Sequence, residues 1–85
     1  MAPGEASEAD ISEWCIVYLR RTVDDPAIAV TADATFAQMG LDSATAAYFI
    51  VELEDWLGQE LAPELVFDHP TIAALARHIA NAENR

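Results

Sequence analysis

The sequence predicts an all-α domain, a small bundle of three main helices plus one short helix, and three observations predict it. Apolar residues recur at helical spacing in three stretches, around residues 11–19, 46–57 and 72–79. Residues that cap helices flank those stretches: Ser7 or Asp10 before the first, Gly58 after the second and Thr71 before the third. At 85 residues the chain has the length for one small core and no second domain. The domain is expected to span residues 7–81, between flexible ends at 1–6 and 82–85.

The first helix is expected to start at Ser7 or at Asp10. Each is followed three residues later by an acid, Asp10 and Glu13 respectively, the spacing of a capping box. Its apolar stripe is Ile11, Trp14, Cys15, Tyr18 and Leu19, and it ends near Arg21, where cations suit the negative end of the helix dipole. From Thr22 to Asp42 the chain carries Asp24-Asp25-Pro26 and Gly40, too irregular for a helix and without clean strand alternation. A connection of about 20 residues is long for a compact domain, and such loops carry function or a short turn of their own. Ile28, Val30 and Phe36 are expected to pin it to the core.

The second helix is expected from about Ser43 to Leu57. At roughly 100° per residue, Ala46, Phe49, Ile50, Leu53 and Leu57 share one side, the core face. Ala44, Ala47, Tyr48, Val51, Glu54 and Asp55 fall on the other side. So small a protein cannot bury both faces, so an apolar strip edged with negative charge is expected to stay exposed. Trp56 lies at the edge of the core sector, compatible with either environment, and Gly58 ends the helix. Leu61, Leu65, Val66 and Phe67 make a short apolar segment of about one turn between Pro63 and Pro70. Thr71 then caps a last helix whose stripe is Ile72, Leu75, Ala76 and Ile79.

Charge narrows the function. Fifteen acidic and four basic side chains give a formal net charge of -11, and none of the basic residues is lysine. Ten acids lie between Arg21 and Arg77 with no cation among them. Such a surface repels nucleic-acid phosphates and anionic lipid headgroups, so neither nucleic acid nor membrane is an expected partner. It attracts a basic protein surface and speeds encounter with one. One cysteine cannot form an internal disulfide, no signal-peptide pattern opens the chain, and no stretch approaches a membrane span. A cytoplasmic location is expected, and a monomer.

No metal site is expected. Cys15, His69 and His78 are not spaced for zinc, nor Asp24, Asp25 and Asp33 for a calcium loop. No catalytic set is expected either, and the protein reads as a non-enzyme. Ser43 lacks a nucleophile elbow, and a triad of Ser43, His69 and Asp68 needs a pocket that so small a chain hardly encloses.

Gly40-Leu41-Asp42-Ser43, at the junction of the long loop and the second helix, stands out. Phe36 precedes it, Leu53-Glu54 stands before Gly58, and Leu65-Val66-Phe67-Asp68-His69-Pro70-Thr71 follows. With these motifs the sequence resembles the acyl carrier protein family, specifically the carriers of polyketide synthases, from about Ile11 to Ile79. The resemblance implies that the Ser43 hydroxyl, flanked by Gly40, Leu41 and Asp42, receives 4′-phosphopantetheine from coenzyme A. A phosphopantetheinyl transferase that supplies magnesium would carry out the transfer. The arm's thiol would then hold acyl intermediates as thioesters and shuttle them between partner enzymes of polyketide biosynthesis. Those partners are an acyl-loading enzyme (an acyltransferase or acyl-AMP ligase) and a ketosynthase or other acyl-processing enzymes.

In this family the helix that starts at the modified serine is the recognition helix. The resemblance implies that Asp42, Glu54 and Asp55 meet basic residues of partners, while Ala44, Ala47, Tyr48 and Val51 supply the rest of the contact. Physics agrees with the placement of the serine: the free N–H groups and positive dipole end of a helix N-terminus favour an attached phosphodiester. Two positions depart from the family pattern, Ala44 where Leu or Met is usual and Tyr48 where an acid is common. The alternatives are a peptidyl or aryl carrier of a nonribosomal peptide pathway, and an acidic interaction module that uses the charge but not Ser43. Peptidyl carriers usually have glycine where Leu41 stands and often histidine where Asp42 stands, so the tetrapeptide favours acyl cargo.

Overall fold

Of the two starts open to the first helix, the chain takes the earlier one. The Ser7 hydroxyl accepts the Asp10 backbone N–H, and the Asp10 carboxylate accepts the Ser7 N–H, both at 3.1 Å, so a complete capping box opens the helix. The computed structural model describes residues 7–23 and 25–83; the end expected to be flexible at 1–6, residues 84–85 of the one expected at 82–85, and Asp24 of the long loop lie outside the described residues. Four helices follow in order: α1 (Glu8–Thr22), α2 (Ser43–Leu57), α3 (Leu65–Asp68) and α4 (Ile72–Glu83). The backbone of α4 thus continues past residue 81.

The helices bury the stripes that their periodicity marks. Ile11, Cys15 and Leu19 of α1, Phe49, Ile50 and Leu53 of α2, and Ile72, Leu75, Ala76 and Ile79 of α4 are all buried, with α1 lying chiefly along α4. Each large aliphatic or aromatic side chain so buried contributes about 1.5–3 kcal/mol, which holds three helices together without a polar group in the core among the described residues. Trp56 is half-buried and stacks on Trp14 with ring centroids 5.5 Å apart. Trp14 also stacks on Tyr18 at 5.2 Å, so an aromatic layer joins α1 to the last turns of α2.

The long loop is tied down by its own caps. The Thr35 hydroxyl accepts the Gln38 N–H at 3.0 Å and the Gln38 side chain accepts the Thr35 N–H at 2.8 Å, closing a turn that buries Phe36 and Met39. Phe36 N–H donates to the Pro70 carbonyl and Ala73 N–H to the Ala32 carbonyl, clasping the loop against the start of α4 around an isolated antiparallel bridge between Thr35 and Thr71. Phe36 is a core residue as expected, whereas Ile28 and Val30 pack only at its edge. Gly40 then adopts φ 81°, a left-handed conformation that lets Leu41 N–H return to the Phe36 carbonyl at 3.1 Å and turns the chain into α2.

Gly58, at φ 73°, closes the other end of α2, with its N–H and that of Gln59 both donating to the Glu54 carbonyl. Beyond it, α3 is one turn long. Successive residues of a helix point about 100° apart, so a single turn cannot bury every apolar side chain it carries. Val66 goes into the core, Leu65 sits at its edge and Phe67 is left 68 % exposed. Thr71 caps α4, its hydroxyl accepting the Ala74 N–H at 3.1 Å. No helix among the described residues is long and apolar enough to cross a membrane.

Candidate functional site

The junction of loop and helix at residues 40–43 is built by one carboxylate. Asp42 is the N-cap of α2, in extended conformation, and its Oδ1 accepts the Thr45 backbone N–H at 2.8 Å. That backbone hydrogen bond, with further help from the Thr45 side chain, holds the Asp42 carboxyl below its ordinary value, so it stays ionised. The next residue, Ser43, is the first of the helix and is exposed. Among the described residues its hydroxyl has no hydrogen-bonded partner. Asp42 thereby fixes where the helix begins and presents Ser43 Oγ to solvent at the positive end of the α2 dipole.

Beside Ser43 lies a cleft of about 370 Å³, walled by Phe36 and Leu41 of the loop, Ala46 of α2, and Val66, Phe67 and Pro70. Its walls are mostly apolar, while Thr35, the cap Asp42 and Ser43 stand at it as polar residues. A long, flexible group joined to Ser43 through a phosphate meets an accessible oxygen, a helix N-terminus for its charge and an apolar surface alongside. The residues present therefore fit a 4′-phosphopantetheine arm.

The strip expected on the far side of α2 divides in two. Ala44, Ala47, Tyr48, Val51 and Asp55 are exposed, with Tyr48 at 70 % and Val51 at 56 %. Ala44, Tyr48, Val51 and Asp55, at spacings of three and four, form one continuous ridge that begins next to Ser43. Glu54 stands apart from it. Glu54 is half-buried, and its carboxylate accepts the Leu61 backbone N–H at 2.8 Å, so it is engaged in holding the α2–α3 loop. The residue that the sequence reading missed is Phe67, which borders the Ser43 cleft and is largely exposed. The signal for it is the shortness of the segment between Pro63 and Pro70, which leaves one side of a single turn facing out.

The remaining polar candidates are elsewhere. His69 is not a wall of the cleft; its ring stacks on His78 of α4 with centroids 4.3 Å apart. Cys15 is fully buried, and desolvation pushes its thiol from an ordinary 9.0 up to about 12. Among the described residues no group of three or more His, Cys, Asp and Glu side chains is placed to hold a metal ion.

Comparison with known proteins places these features in context. A family profile described as a phosphopantetheine attachment site matches residues 17–79. The chain is 35 % identical over 78 residues to a phenolphthiocerol/phthiocerol polyketide synthase of Mycobacterium tuberculosis (strain CDC 1551 / Oshkosh), a match over 92 % of this chain and 4 % of that one. It is 36 % identical over 69 residues to polyketide synthase PksM of Bacillus subtilis (strain 168), covering 76 % of this chain and 2 % of the relative. The chain thus spans only a few per cent of the length of these curated relatives. Among solved structures, a free-standing peptidyl carrier protein from an uncharacterized Acinetobacter baumannii secondary metabolic pathway superposes with a TM-score of 0.80 at 30 % identity, over 91 % of this chain and 96 % of that one.

Proposed function

The chain belongs to the phosphopantetheine attachment-site family of carrier protein domains, which bear covalent 4′-phosphopantetheine, and from that premise we propose that Ser43 is the attachment residue and that the cargo is an acyl intermediate of polyketide biosynthesis. The observation that carries the assignment is the exposed Ser43 hydroxyl on the first residue of α2, beside an apolar cleft and one residue after a cap that stays ionised. The arm supplies a thiol that holds the acyl group as a thioester. The chain's own residues supply position: Asp42 sets the helix start, Gly40 turns the loop into it, and Leu41 and Ala46 line the surface beside the attachment point.

The partner surface is the ridge of Ala44, Tyr48, Val51 and Asp55, with Ala47 beside it and Phe67 across the cleft. The phosphopantetheinyl transferase, the acyl-loading enzyme and a ketosynthase or other processing enzyme each dock there in turn. Exposed charge pairs contribute only about 0–1 kcal/mol each, so these encounters are weak, fast and salt-sensitive, as a shuttle requires. Tethered cargo then meets each active site at an effective concentration on the order of millimolar. The role is a cytoplasmic one and leaves chemistry to the partners.

Two observations favour acyl over peptidyl cargo: Leu41 and Asp42 stand where peptidyl carriers usually differ, and the curated relatives named above are polyketide synthases. The similarity to a peptidyl carrier supports the runner-up. Intact-protein mass spectrometry after incubation with coenzyme A, magnesium and a broad-specificity phosphopantetheinyl transferase tests the site: one phosphopantetheine is gained by the parent and none by Ser43→Ala. Gain of the group by Ser43→Ala overturns the assignment. The same method, applied after mixing the loaded protein with a polyketide acyltransferase and malonyl-coenzyme A or with an adenylating enzyme and an amino acid, tests the cargo class. Aminoacyl transfer alone overturns the polyketide reading.

A further inference from the structure

A second groove lies between α1 and α2, away from Ser43. It has a volume of about 330 Å³ and is lined by Asp10, Glu13, Trp14 and Val17 of α1 and by Trp56 of α2. Trp56 follows Ser43 by thirteen residues, about 20 Å along the helix axis at 1.5 Å per residue, and is turned about 220° from it. The groove therefore shares neither the end nor the side of α2 that the Ser43 cleft uses.

Its floor and rim differ in chemistry. Trp14 and Trp56, stacked on each other, are half-buried and offer indole surface, and Val17 beside them is 45 % exposed. Asp10 and Glu13 are exposed at the α1 N-terminal end. The two helices run antiparallel, Trp14 facing Trp56 and Tyr18 facing Phe49, so Glu52, one turn before Trp56 on α2, lies toward the other end. At that end Arg20 and Arg21 follow Val17 by one turn. The groove is thus negative at the Asp10–Glu13 end and apolar in the middle, while Arg20 and Arg21 of α1 and Glu52 of α2 give the other end mixed charge. The stretch from Asp10 to Val17 is about two helical turns long, roughly 10 Å, the contact length of a short helix laid in a groove.

The geometry points to this groove as a docking site for a short amphipathic helix of a partner protein, with lysine or arginine over Asp10 and Glu13 and an aliphatic side chain against Trp14, Val17 and Trp56. A cation placed there gains from two carboxylates and from the adjacent indoles together. An acidic helix is repelled by the end that carries Asp10 and Glu13 as well as by the net charge of -11. A site on this side lets a partner hold the domain while the Ser43 end stays open to a second one. The inference does not depend on the identity of the cargo or on attachment at Ser43, and its test uses the unmodified protein.

Trp14 and Trp56 are the only tryptophans in the chain, so the groove contains its own reporter. The probe is a synthetic amphipathic helical peptide with two lysines at one end and leucines at positions i, i+3, i+4 and i+7, titrated while tryptophan emission is followed. The expected result is a saturable change in emission and an affinity about tenfold weaker for Glu13→Lys, which reverses a rim charge. Val17→Ser weakens binding about fivefold by removing apolar contact, as does replacing the peptide's leucines by serine. Glu60→Lys makes the same charge change elsewhere and is expected to have a much smaller effect. Glu13, Val17 and Glu60 are exposed, and circular dichroism verifies that each variant is folded.

Four results overturn the inference. One is equal weakening by Glu13→Lys and Glu60→Lys, which reduces the interaction to net charge. Another is binding seen by peptide anisotropy without a change in tryptophan emission, which puts the peptide elsewhere. The third is sedimentation as a dimer that the peptide dissociates, which makes a second copy the occupant. Phosphopantetheinylation measured with the peptide bound is expected to proceed at an unchanged rate; inhibition places the peptide at the Ser43 end and also overturns it.

Discussion

The Glu54 carboxylate accepts the backbone N–H of Leu61 at 2.8 Å, while the Glu54 carbonyl accepts those of Gly58 and Gln59. One residue thus ends α2 and anchors the loop that leads to α3. A charge-assisted hydrogen bond at a half-buried site is worth about 1–2 kcal/mol. Glu54→Ala is expected to lower stability by that amount in thermal or urea denaturation, whereas Asp55→Ala leaves it within about 0.5 kcal/mol. Loss of transferase binding in Asp55→Ala without loss of stability is the signature of a docking residue. Equal stability of Glu54→Ala and the parent contradicts the anchoring role.

Asp42 makes a prediction in pH. Its hydrogen bond from the Thr45 N–H lowers its folded-state value below the ordinary 3.8, so its contribution to stability is present above that value and lost as pH falls through the lower, folded one. Asp42→Ala melts at a lower temperature than the parent at neutral pH, and the gap narrows in acid. Asn caps nearly as well as Asp, so Asp42→Asn keeps the neutral-pH stability and loses the pH dependence. Melting curves from pH 2 to pH 7 measure both.

Cys15 makes the opposite prediction at the alkaline end. Its thiol is raised from 9.0 to about 12 in the folded protein, so above pH 9 the unfolded chain releases a proton that the folded one retains. Stability attributable to this residue falls between those two values, by about 1.4 kcal/mol per pH unit at most. Urea denaturation from pH 8 to pH 10.5 detects the slope, and Cys15→Ala removes it. A disulfide reagent that reacts with exposed thiols is expected to leave the native apo protein unlabelled and to label it fully in urea.

Phe67 separates docking from folding. Because it is 68 % exposed, Phe67→Ala is expected to change stability by no more than about 0.5 kcal/mol. Its place beside the Ser43 cleft predicts slower phosphopantetheinylation, with kcat/KM reduced several-fold. Val66→Ala, one residue earlier and buried, shows the reverse balance, costing about 1–3 kcal/mol through the cavity it leaves. An unchanged kcat/KM for Phe67→Ala removes it from the partner surface.

What the sequence makes legible here is what repeats or caps. The stripes of α1, α2 and α4 are periodic, and Ser7, Gly58 and Thr71 mark boundaries through local chemistry, so the helical arrangement can be read from the sequence, whereas the cap at Asp42 shows only in the structure. The clasp between Phe36 and Pro70 joins residues far apart in the chain and has no periodic signal, and Met39 enters the core only because that clasp and the Thr35–Gln38 turn fold the loop inward. Glu54 is a similar case. Its helical angle places it with the exposed acids, but its partner, Leu61, is brought within reach by the left-handed turn at Gly58. Trp56, at the edge of the core sector, is settled by the position of Trp14 on another helix.

The sealed position of Cys15 also bears on how long a loaded carrier lasts. Acyl thioesters exchange readily with thiolates, and a second nucleophilic sulfur on the same chain offers the cargo a dead-end acceptor. Here the one cysteine of these 85 residues is buried and held protonated, so no thiol of this domain's own competes for the acyl group or is free to form a disulfide. The lifetime of the charged form is then set by hydrolysis and by partner enzymes, and within this folded domain a thiol that titrates in the ordinary range reports an arm waiting to be filled.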